Sequence, residues 1–381
     1  MSKIRTVLAL LKRAFPASLS LLVVPCAFAQ TPKEVDSSAG TVRIDALAGK
    51  LEHPWGMAFL PSGELLVTER AGRLRILAKS GELSAPLDGV PSVLSRGQGG
   101  LLDVALDPDF DENSFVYLSF SEPGGEGAST AIGRGRFHNK KIENFRVIFR
   151  QLPKVSGPNH FGGRIVFDSD KNIYLTTGER FKFEPAQDLS NHLGTIVRIT
   201  REGKAATGNP FTKNKNAKSE IWSYGHRNIE AAAFDPGTGH LWIAEMGPKG
   251  GDELNLIKEG ANYGWPIVSW GEHYDGKDIP DPPTRPEFAD AAKHWTPVIS
   301  PSGMVFYTGS MFPEWRGSAL IGGLSSRALI RVTVDGGSAK EAERLSLKVR
   351  VRDVEQAPDG SLYLLTDQSS GSVLRLSRTG G

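Results

Sequence analysis

The sequence predicts an all-β fold, a six-bladed β-propeller, and three observations support this prediction. A short apolar strand, a turn rich in Asp, Pro, Ser or Gly, and a second β-rich strand recur six times along the 381 residues. Adjacent copies begin about 47 to 72 residues apart, which suits a four-stranded sheet plus a variable loop better than a βαβ unit. The sequence contains no convincing amphipathic helix. A pair of β-sandwiches is the alternative architecture.

Each copy of the repeat supplies the first two strands of one predicted blade. The turns between these strands use Asp-Pro or Asp-Gly pairs, as at 107–108, 235–236 and 359–360, where Asp bonds its own backbone and Pro fixes φ. Radial repetition leaves few exposed strand edges, and loops at one mouth of the central channel form the site in such folds. The six copies, in order, occupy residues 57–67, 104–118, 165–175, 232–243, 304–321 and 354–365.

The first residues predict a cleaved secretory signal. Four basic residues lie within positions 3–13, a mostly apolar run follows at 19–24, and Ala27-Phe28-Ala29 has the small residues of a cleavage site. We therefore expect cleavage after Ala29, a single propeller domain over 30–381, and a periplasmic or secreted protein. The apolar run is shorter than the ~20 residues of a membrane span, so no membrane span is expected. The only cysteine, Cys26, lies inside the signal, which leaves the mature chain without a thiol or disulfide.

The charge and the motifs that are missing exclude several function classes. Removal of the signal, with its four basic and no acidic residues, takes the formal net charge from +2 to −2, so nothing favours a nucleic-acid partner. We expect a small, neutral substrate. The histidines do not form a pair at zinc-ligand spacing, and neither a Gly-rich dinucleotide-binding element nor a Ser nucleophile elbow occurs.

The segment 223–265 predicts a cation next to an anion-binding group. Arg227 and Asn228 precede the apolar strand 241–244, and Gly247 and Pro248 follow it. Because Gly and Pro leave their own carbonyls uncovered, this second loop offers oxygen ligands of the kind a hard cation takes. Arg227 and Asn228 offer planar donors to an anionic or carbonyl-bearing partner. The pair of loops therefore suggests a metal and an acidic, oxygen-rich cofactor.

His160 is the candidate general base. It lies in a loop just before a strand, among Gly157, Gly162 and Gly163, and imidazole is the side chain best suited to take a proton near neutral pH. Glu179 follows the next strand, where it could return to the same mouth, orient the imidazole and stabilise its charged form. The alternative for a loop histidine is a structural hydrogen bond.

Five further polar positions have both a functional and a structural interpretation. Gln98, among glycines, could contact a ligand or form a simple turn. Arg350 and Arg352 share one face of a strand and would repel unless an anion lies beside them; a solvated surface strand is the alternative. Glu253 and Tyr263 could supply oxygens to a second cation or line a surface.

These phrases together resemble the soluble quinoprotein sugar dehydrogenases, and within them the periplasmic aldose sugar dehydrogenase group. Each phrase is weak alone, but together they are specific and span nearly all of the mature chain. The matching phrases are 66–70 with 72–74, 97–102 with 107–110, His160 with 163–164, 224–228, 247–248 with 252–253, 262–265, and 350–353 with 358–360.

The resemblance implies a six-bladed propeller that holds pyrroloquinoline quinone (PQQ) and calcium and oxidises the anomeric hydroxyl of an aldose to a lactone. It implies that His160 is the general base, that Glu179 orients it, and that an electron acceptor is a further partner. The carbonyls of Gly247 and Pro248 would bind the catalytic calcium, and Glu253 and Tyr263 a structural one. The implied cofactor contacts are Gln98, Arg227, Asn228, Arg350 and Arg352, and Arg227 would also stabilise charge on the quinone C5 oxygen.

The chain departs from this family pattern at two positions. Glucose-oxidising relatives place a cofactor-binding lysine where this chain has the stretch 323–327, so Arg327 is either its substitute or the contact is absent. Relatives also carry an aspartate where this chain has Glu179. Two other functions remain open at the level of the residues: a calcium-dependent propeller lactonase that activates water, and a non-catalytic carbohydrate- or protein-binding propeller.

Overall fold

Six antiparallel sheets surround a central axis, which confirms the predicted six-bladed propeller. The computed structural model describes residues 31–125 and 127–379. The predicted signal, its cleavage site and Cys26 lie outside these residues. The strands of the first half of the chain are β1 Glu34–Ser37, β2 Gly40–Leu51, β3 Pro54–Phe59, β4 Leu65–Glu69, β5 Arg73–Leu77, β6 Leu101–Leu106, β7 Phe115–Gly124, β8 Gly127–His138, β9 Lys141–Arg150, β10 Gly162–Phe167, β11 Ile173–Thr177 and β12 Thr195–Ile199.

The second half of the chain completes the blades in the same way. One four-residue α-helix, α1 Phe110–Asn113, and three short 3-10 turns, Glu184–Gln187, Pro282–Thr284 and Pro313–Trp315, are the helical elements of the described residues. The remaining strands are β13 Ile221–Tyr224, β14 Ile229–Phe234, β15 Leu241–Glu245, β16 Lys249–Gly250, β17 Asp252–Leu256, β18 Gly271–Glu272, β19 Lys293–Trp295, β20 Pro301–Phe306, β21 Ala319–Gly323, β22 Ala328–Asp335, β23 Ser338–Ser346, β24 Val351–Gln356, β25 Leu362–Thr366 and β26 Gly371–Arg378.

The blades follow one another along the chain, and the two ends of the chain share the last one. Blade 1 is β3-β4-β5, blade 2 is β6-β7-β8-β9, blade 3 is β10-β11-β12-β13, blade 4 is β14-β15-β17-β19, and blade 5 is β20-β21-β22-β23. Blade 6 joins β24-β25-β26 to β2 and β1. The register runs from Val42 opposite Arg378 to Leu51 opposite Gly371. This pairing closes the ring and leaves no open seam between the first and last blades.

The second strand of a blade is buried along its whole length in blades 1, 3 and 4, which explains why the repeats read as continuous apolar runs. Side chains of neighbouring blades pack between the sheets. Tyr117 of blade 2, for example, packs with Ile165, Leu175 and Val197 of blade 3. The core is therefore a set of layers between blades and not one central cluster.

All inner strands begin at the same mouth of the axis, and all second strands end there. This follows from the antiparallel register, in which Ile229 at the start of β14 pairs with Glu245 at the end of β15, and Val351 of β24 pairs with Thr366 of β25. Loops that precede the inner strands and loops that follow the second strands therefore meet at this mouth. Below it, Arg164 of β10 fills the axis, where its guanidinium contacts Asp103 and Asp353 and lies 4.1 Å from the Trp55 ring.

Candidate active site

His160 and Glu179 form a buried hydrogen-bonded pair at the mouth. His160 Nδ1 lies 2.5 Å from Glu179 Oε1. Since a carboxylate only accepts hydrogen bonds, this contact fixes the proton on Nδ1 and leaves the lone pair on Nε2. Nε2 has no hydrogen-bond partner among the residues that the structure describes. The imidazole is thus in the form that can take a proton from a ligand at the mouth.

The surroundings of His160 shift the balance between its neutral and charged forms. Burial lowers the pKa of His160, and the nearby Arg227 charge lowers it further, while the hydrogen bond and charge of Glu179 raise it; the net direction is downward. A lowered pKa favours the unprotonated imidazole, which is the form able to accept a proton, and Glu179 offsets part of the loss of basicity by favouring the imidazolium.

The loop that carries His160 is held by Gln98 from the previous blade. The His160 N–H donates to Gln98 Oε1 at 2.6 Å, and the Gln98 N–H donates to the Pro158 carbonyl at 2.8 Å. A side chain at Gly97 would overlap Pro158, which explains why glycine precedes Gln98. Gln98 therefore lies at the site, and its side-chain oxygen positions the base while its amide NH₂ is left for a ligand.

Arg227 lies at the centre of the mouth and connects the two loops of segment 223–265. Its Nη1 donates to the carbonyls of Met246 and Gly247 at 2.9 and 2.8 Å, and its Nη2 donates to Tyr274 Oη at 3.1 Å. Its backbone N–H donates to Glu245 Oε2 at 2.7 Å. The buried Nε has no partner within the described residues. Three of the five guanidinium N–H donors are thus engaged, and the Nε–H and the second Nη2–H have no partner among the described residues.

A chain of alternating polar groups crosses the axis from blade 4 to blade 6. Asn228 accepts the Gly162 N–H at 3.1 Å and donates to Glu230 Oε1 at 3.0 Å. The other oxygen of Glu230 accepts a short hydrogen bond from Arg352 Nη1. Arg352 therefore belongs to the site and not to a solvated surface strand.

Asp367 is the anion that lies beside both Arg350 and Arg352, as their shared strand face requires, although it was not predicted as a site residue. Arg350 Nη2 and Arg352 Nη2 each lie 3.0 Å from Asp367 Oδ2. Burial alone would raise the pKa of Asp367, but the two arginines outweigh it and the pKa lies below its usual range. Asp367 is ionised at neutral pH and holds both guanidiniums at the mouth.

Arg327 reaches the same mouth from blade 5. It lies in the turn between β21 and β22, its side chain is exposed, and its φ is +52°. Among the described residues no carboxylate forms an ion pair with it. It is therefore an available cation at the mouth.

Gly247 and its neighbours form a cluster of backbone carbonyls. A Cβ at Gly247 would overlap the carbonyl oxygens of Gly250 and Gly251, so only glycine fits. The Gly247 N–H donates to Asp252 Oδ1 at 2.9 Å, and burial raises the pKa of Asp252 to about 6. Pro248 is buried beside Arg227 at the edge of a cavity. The loop is rich in the neutral oxygens that calcium binds.

Glu253 and Tyr263 line one small cavity of about 10 Å³, but they contribute differently from each other. Glu253 lies opposite Glu245 on the neighbouring strand, and both carboxylates accept from the Asn255 amide, at 3.1 and 3.2 Å. Burial first, and then the charge of Glu245, raise the pKa of Glu253 well above its usual range. The Tyr263 hydroxyl instead donates to the Leu256 carbonyl at 2.7 Å. Glu245, which ends an apolar strand and was not predicted as a site residue, is therefore part of this carboxylate pair, and the Tyr263 hydroxyl is already engaged.

Aromatic side chains that the sequence analysis did not select form one wall of the mouth. Phe181, Phe183 and Tyr274 line a cavity of about 360 Å³ together with Arg227 and Pro248. The Phe181 ring lies 5.1 Å from the His160 ring in an edge-on arrangement. Arg227 and Pro248 therefore face an open space with an apolar side, and Phe181 connects this space to the His160 ring.

The described residues include no group of three or more His, Cys, Asp or Glu side chains arranged around a common metal position. A calcium site here would depend on backbone carbonyls, as the sequence predicts for Gly247 and Pro248. In the same described ranges, no helix is long and apolar enough to cross a membrane.

Comparison with known proteins links this arrangement to sugar oxidation. A family model described as glucose/sorbosone dehydrogenase matches residues 51–375. The aldose sugar dehydrogenase YliI of Escherichia coli (strain K12) is 43% identical over 351 residues, which cover 90% of this chain and 94% of that protein. The apo crystal structure of the soluble aldose sugar dehydrogenase from Escherichia coli has a TM-score of 0.84 at 43% identity, and the match covers 88% of this chain and 99% of that one. The PQQ-bound aldose sugar dehydrogenase of Streptomyces coelicolor has a TM-score of 0.73 at 30% identity, with 91% and 99% covered.

Proposed function

Since the chain belongs to the glucose/sorbosone dehydrogenase family of oxidoreductases, we propose that it is a PQQ-dependent aldose dehydrogenase that oxidises the anomeric C1 hydroxyl of a sugar to a lactone. The observation that carries this proposal is the His160–Glu179 pair, whose free Nε2 lies at the same mouth as Arg227. A base next to a fixed cation suits removal of a hydroxyl proton together with charge development on a neighbouring oxygen.

His160 removes the proton from the C1 hydroxyl through Nε2. Glu179 keeps the N–H proton of the neutral ring on Nδ1 and stabilises the imidazolium that forms when Nε2 takes the substrate proton. A positioned general base typically contributes 10²- to 10⁴-fold in rate. When bound, PQQ would accept the hydride that leaves C1.

Several groups at the mouth fit a tricarboxylate quinone. Arg227 and Arg352 each have a buried Nε without a partner among the described residues, and Arg327 and Arg350 present partly or fully exposed guanidiniums. The acidic groups of the cofactor need several such donors. The full set that would hold it is Gln98, Arg227, Asn228, Arg327, Arg350 and Arg352.

Calcium fits two places near segment 223–265. The carbonyls of Gly247 and Pro248 would hold a catalytic ion in a loop where Gly247 packs against the carbonyl oxygens of Gly250 and Gly251, and the Gly247 carbonyl, which has two lone pairs, would be shared between the ion and Arg227. Glu253 and the backbone of Tyr263, with Glu245, would hold a second ion, because two adjacent buried carboxylates call for a cation. The catalytic ion would act as a Lewis acid on the cofactor.

Export to the periplasm or the medium, with cleavage after Ala29, is part of the proposal and rests on the sequence of residues 1–29. The mature N-terminus of the protein secreted by an expressing cell, measured by mass spectrometry, tests it. A mature chain that still begins at Met1 would contradict it.

The electron acceptor would approach the same mouth after the sugar has left.

The decisive assay reconstitutes the protein with calcium and PQQ and follows the reduction of an artificial electron acceptor over a panel of aldoses. We expect sugar-dependent reduction only when both PQQ and calcium are present, and a lactone as the product. A protein that binds PQQ but reduces no acceptor with any aldose would refute the substrate assignment. Hydrolysis of lactones without PQQ would instead support the calcium-dependent lactonase.

A further inference from the structure

The segment that follows Glu179 adopts a backbone that side chains rarely tolerate. Arg180, Phe181 and Phe183 have φ values of +61°, +59° and +65°, although none of them is glycine. Left-handed backbone at such residues is sterically unfavourable and persists only where surrounding contacts enforce it. Strain of this kind concentrates at functional sites. Contacts of this segment must therefore hold the three residues in their left-handed conformation.

Two buried groups enforce this conformation. Glu179 Oε2 accepts the N–H of Lys182 and the N–H of Phe183, the latter at 2.9 Å. The Arg180 guanidinium donates to the carbonyls of Ala128 and Gly157 and lies 3.6 Å from the Phe161 ring. The carboxylate that orients His160 through one oxygen thus shapes the turn 180–183 through the other.

The outcome of this strain is an aromatic face beside the catalytic base. Phe181 is 37% exposed although its ring touches His160, Phe183 and Tyr274, with ring centres 5.1, 5.1 and 6.3 Å apart. Tyr274 is 63% exposed, and its hydroxyl accepts a hydrogen bond from Arg227 Nη2. Exposed large aromatics are costly in water and usually mark a binding surface.

The chemistry of the cavity fits a sugar ring better than the cofactor. Phe181 and Tyr274 supply an apolar face, whereas Glu184, Asp275 and Lys277, which also line the cavity, supply polar groups. A pyranose matches this pattern because its ring faces expose C–H groups and its rim carries hydroxyls. A quinone with three carboxylates needs several arginines, and of the candidate cofactor arginines only Arg227 lines this cavity.

We propose that Phe181 and Tyr274 form an aromatic wall that stacks on the C–H face of the sugar ring and sets which aldoses are accepted, and that Glu179 fixes this wall relative to His160. The proposal rests on the proposed aldose dehydrogenase function. The wall orients the ring so that the C1 hydroxyl faces Nε2. Sugars with an axial hydroxyl on the stacked face are poorer ligands, because the hydroxyl prevents the ring from lying flat.

The test compares Phe181→Ala, Phe181→Leu and Tyr274→Ala with the control Ile267→Ala. Ile267 is 36% exposed, as much as Phe181, but it does not line the cavity. For each PQQ- and calcium-loaded variant we would measure kcat and KM for a panel of epimeric aldoses. Calorimetry would give the affinity for 1-deoxyglucose, a non-reacting probe without the C1 hydroxyl, and absorbance titration the affinity for PQQ.

We expect Phe181→Ala and Tyr274→Ala to raise KM and the probe Kd about tenfold, the scale of a lost aromatic contact, with kcat changed much less. Phe181→Leu recovers part of the affinity but not the discrimination between epimers. The control stays at the wild-type values, as does the PQQ affinity of all four variants. A merely structural role for the wall would not produce this separation of KM from kcat or the loss of epimer discrimination.

The results of this test distinguish failure of the aromatic wall from failure of the proposed dehydrogenase function. Unchanged KM and probe Kd in both alanine variants of an active enzyme would overturn the wall and leave the dehydrogenase intact. A loss of PQQ affinity in Phe181→Ala would overturn the assignment to sugar, since the wall would then contact the cofactor. A wild-type protein that oxidises no aldose but binds the probe, with weaker binding in the alanine variants, would support the aromatic wall and overturn the dehydrogenase function. A wild-type protein that does not bind the probe would overturn the aromatic wall.

Discussion

Replacing Glu179 by glutamine should disable the base while changing the side chain by a single atom. Glu179 accepts hydrogen bonds on both oxygens, from His160 Nδ1 on one side and from two backbone N–H groups on the other. Glutamine offers one acceptor only. If its oxygen faces the backbone, its NH₂ faces Nδ1, which must then accept, and the ring proton moves to Nε2. The atom that should take the substrate proton is then already protonated.

The alternative orientation of the glutamine is equally damaging. With its oxygen on His160, its NH₂ would face two backbone N–H donors, and each buried donor left without a partner costs about 1–3 kcal/mol. We therefore expect kcat to fall by ~10²–10⁴, the scale of general-base catalysis, together with a loss of about 2 kcal/mol in the free energy of unfolding.

The assay is steady-state oxidation of an aldose at saturating PQQ and calcium, with urea denaturation as the stability readout. Glu220→Gln is the matched control, because Glu220 pairs with His192 in the same blade at 3.5 Å and does not line the cavity at the mouth. A Glu179→Gln enzyme that keeps more than about a tenth of the wild-type kcat, or one no slower than the control, would refute the orienting role of Glu179.

Three more predictions follow from single features of the site. Burial lowers the pKa of His160, so the neutral base is present above the folded-state pKa and is lost only as the pH falls through it. The acid limb of kcat/KM should therefore lie below about pH 6.5. An acid limb at or above that value would contradict the assignment of His160 as the base. Gly247→Ala should weaken calcium binding at least about tenfold in calorimetry, because the added Cβ displaces the carbonyl cluster. The control Gly125→Ala, which has open space around it, should not change the calcium affinity. Equal affinities of the two variants would argue against this loop as the calcium site. Asp367→Asn leaves two arginines at 3.0 Å with a weaker partner and should cost roughly 3 kcal/mol in urea denaturation; a cost under about 0.5 kcal/mol would show that the pair needs no anion.

The repeat made most of the fold predictable, because each blade must place an apolar strand next to the axis and another behind it. The start of the last blade was not predictable in this way. Strands β1 and β2 precede the first copy of the repeat; β1 pairs with β2, and β2 pairs with β26, which lies more than three hundred residues away in sequence. Blade 1 also has three strands in the described residues instead of the expected four. Nothing local in a sequence records a pairing between its two ends.

The site was predictable where local sequence carries the chemistry and not where distant blades supply the partner. His160 and Gly247 stand out because glycines surround them. Asp367 does not, although it directly follows β25, just as Glu179 and Gly247 closely follow β11 and β15. A search for charged side chains within two residues of the end of each second strand would have included it. Phe181 was missed because its left-handed backbone is imposed by Glu179 and carries no glycine signal.

The most direct test of the account is His160→Ala in the PQQ- and calcium-loaded protein, with His240→Ala, an exposed histidine in the turn between β14 and β15 at the opposite end of its blade, as the control. PQQ affinity and kcat for one aldose are measured on the same preparations. The account predicts nearly unchanged PQQ affinity and a kcat that falls by ~10² or more in His160→Ala only. A His160→Ala enzyme that binds PQQ and turns over within a few-fold of wild type would remove His160 from the mechanism and contradict the account.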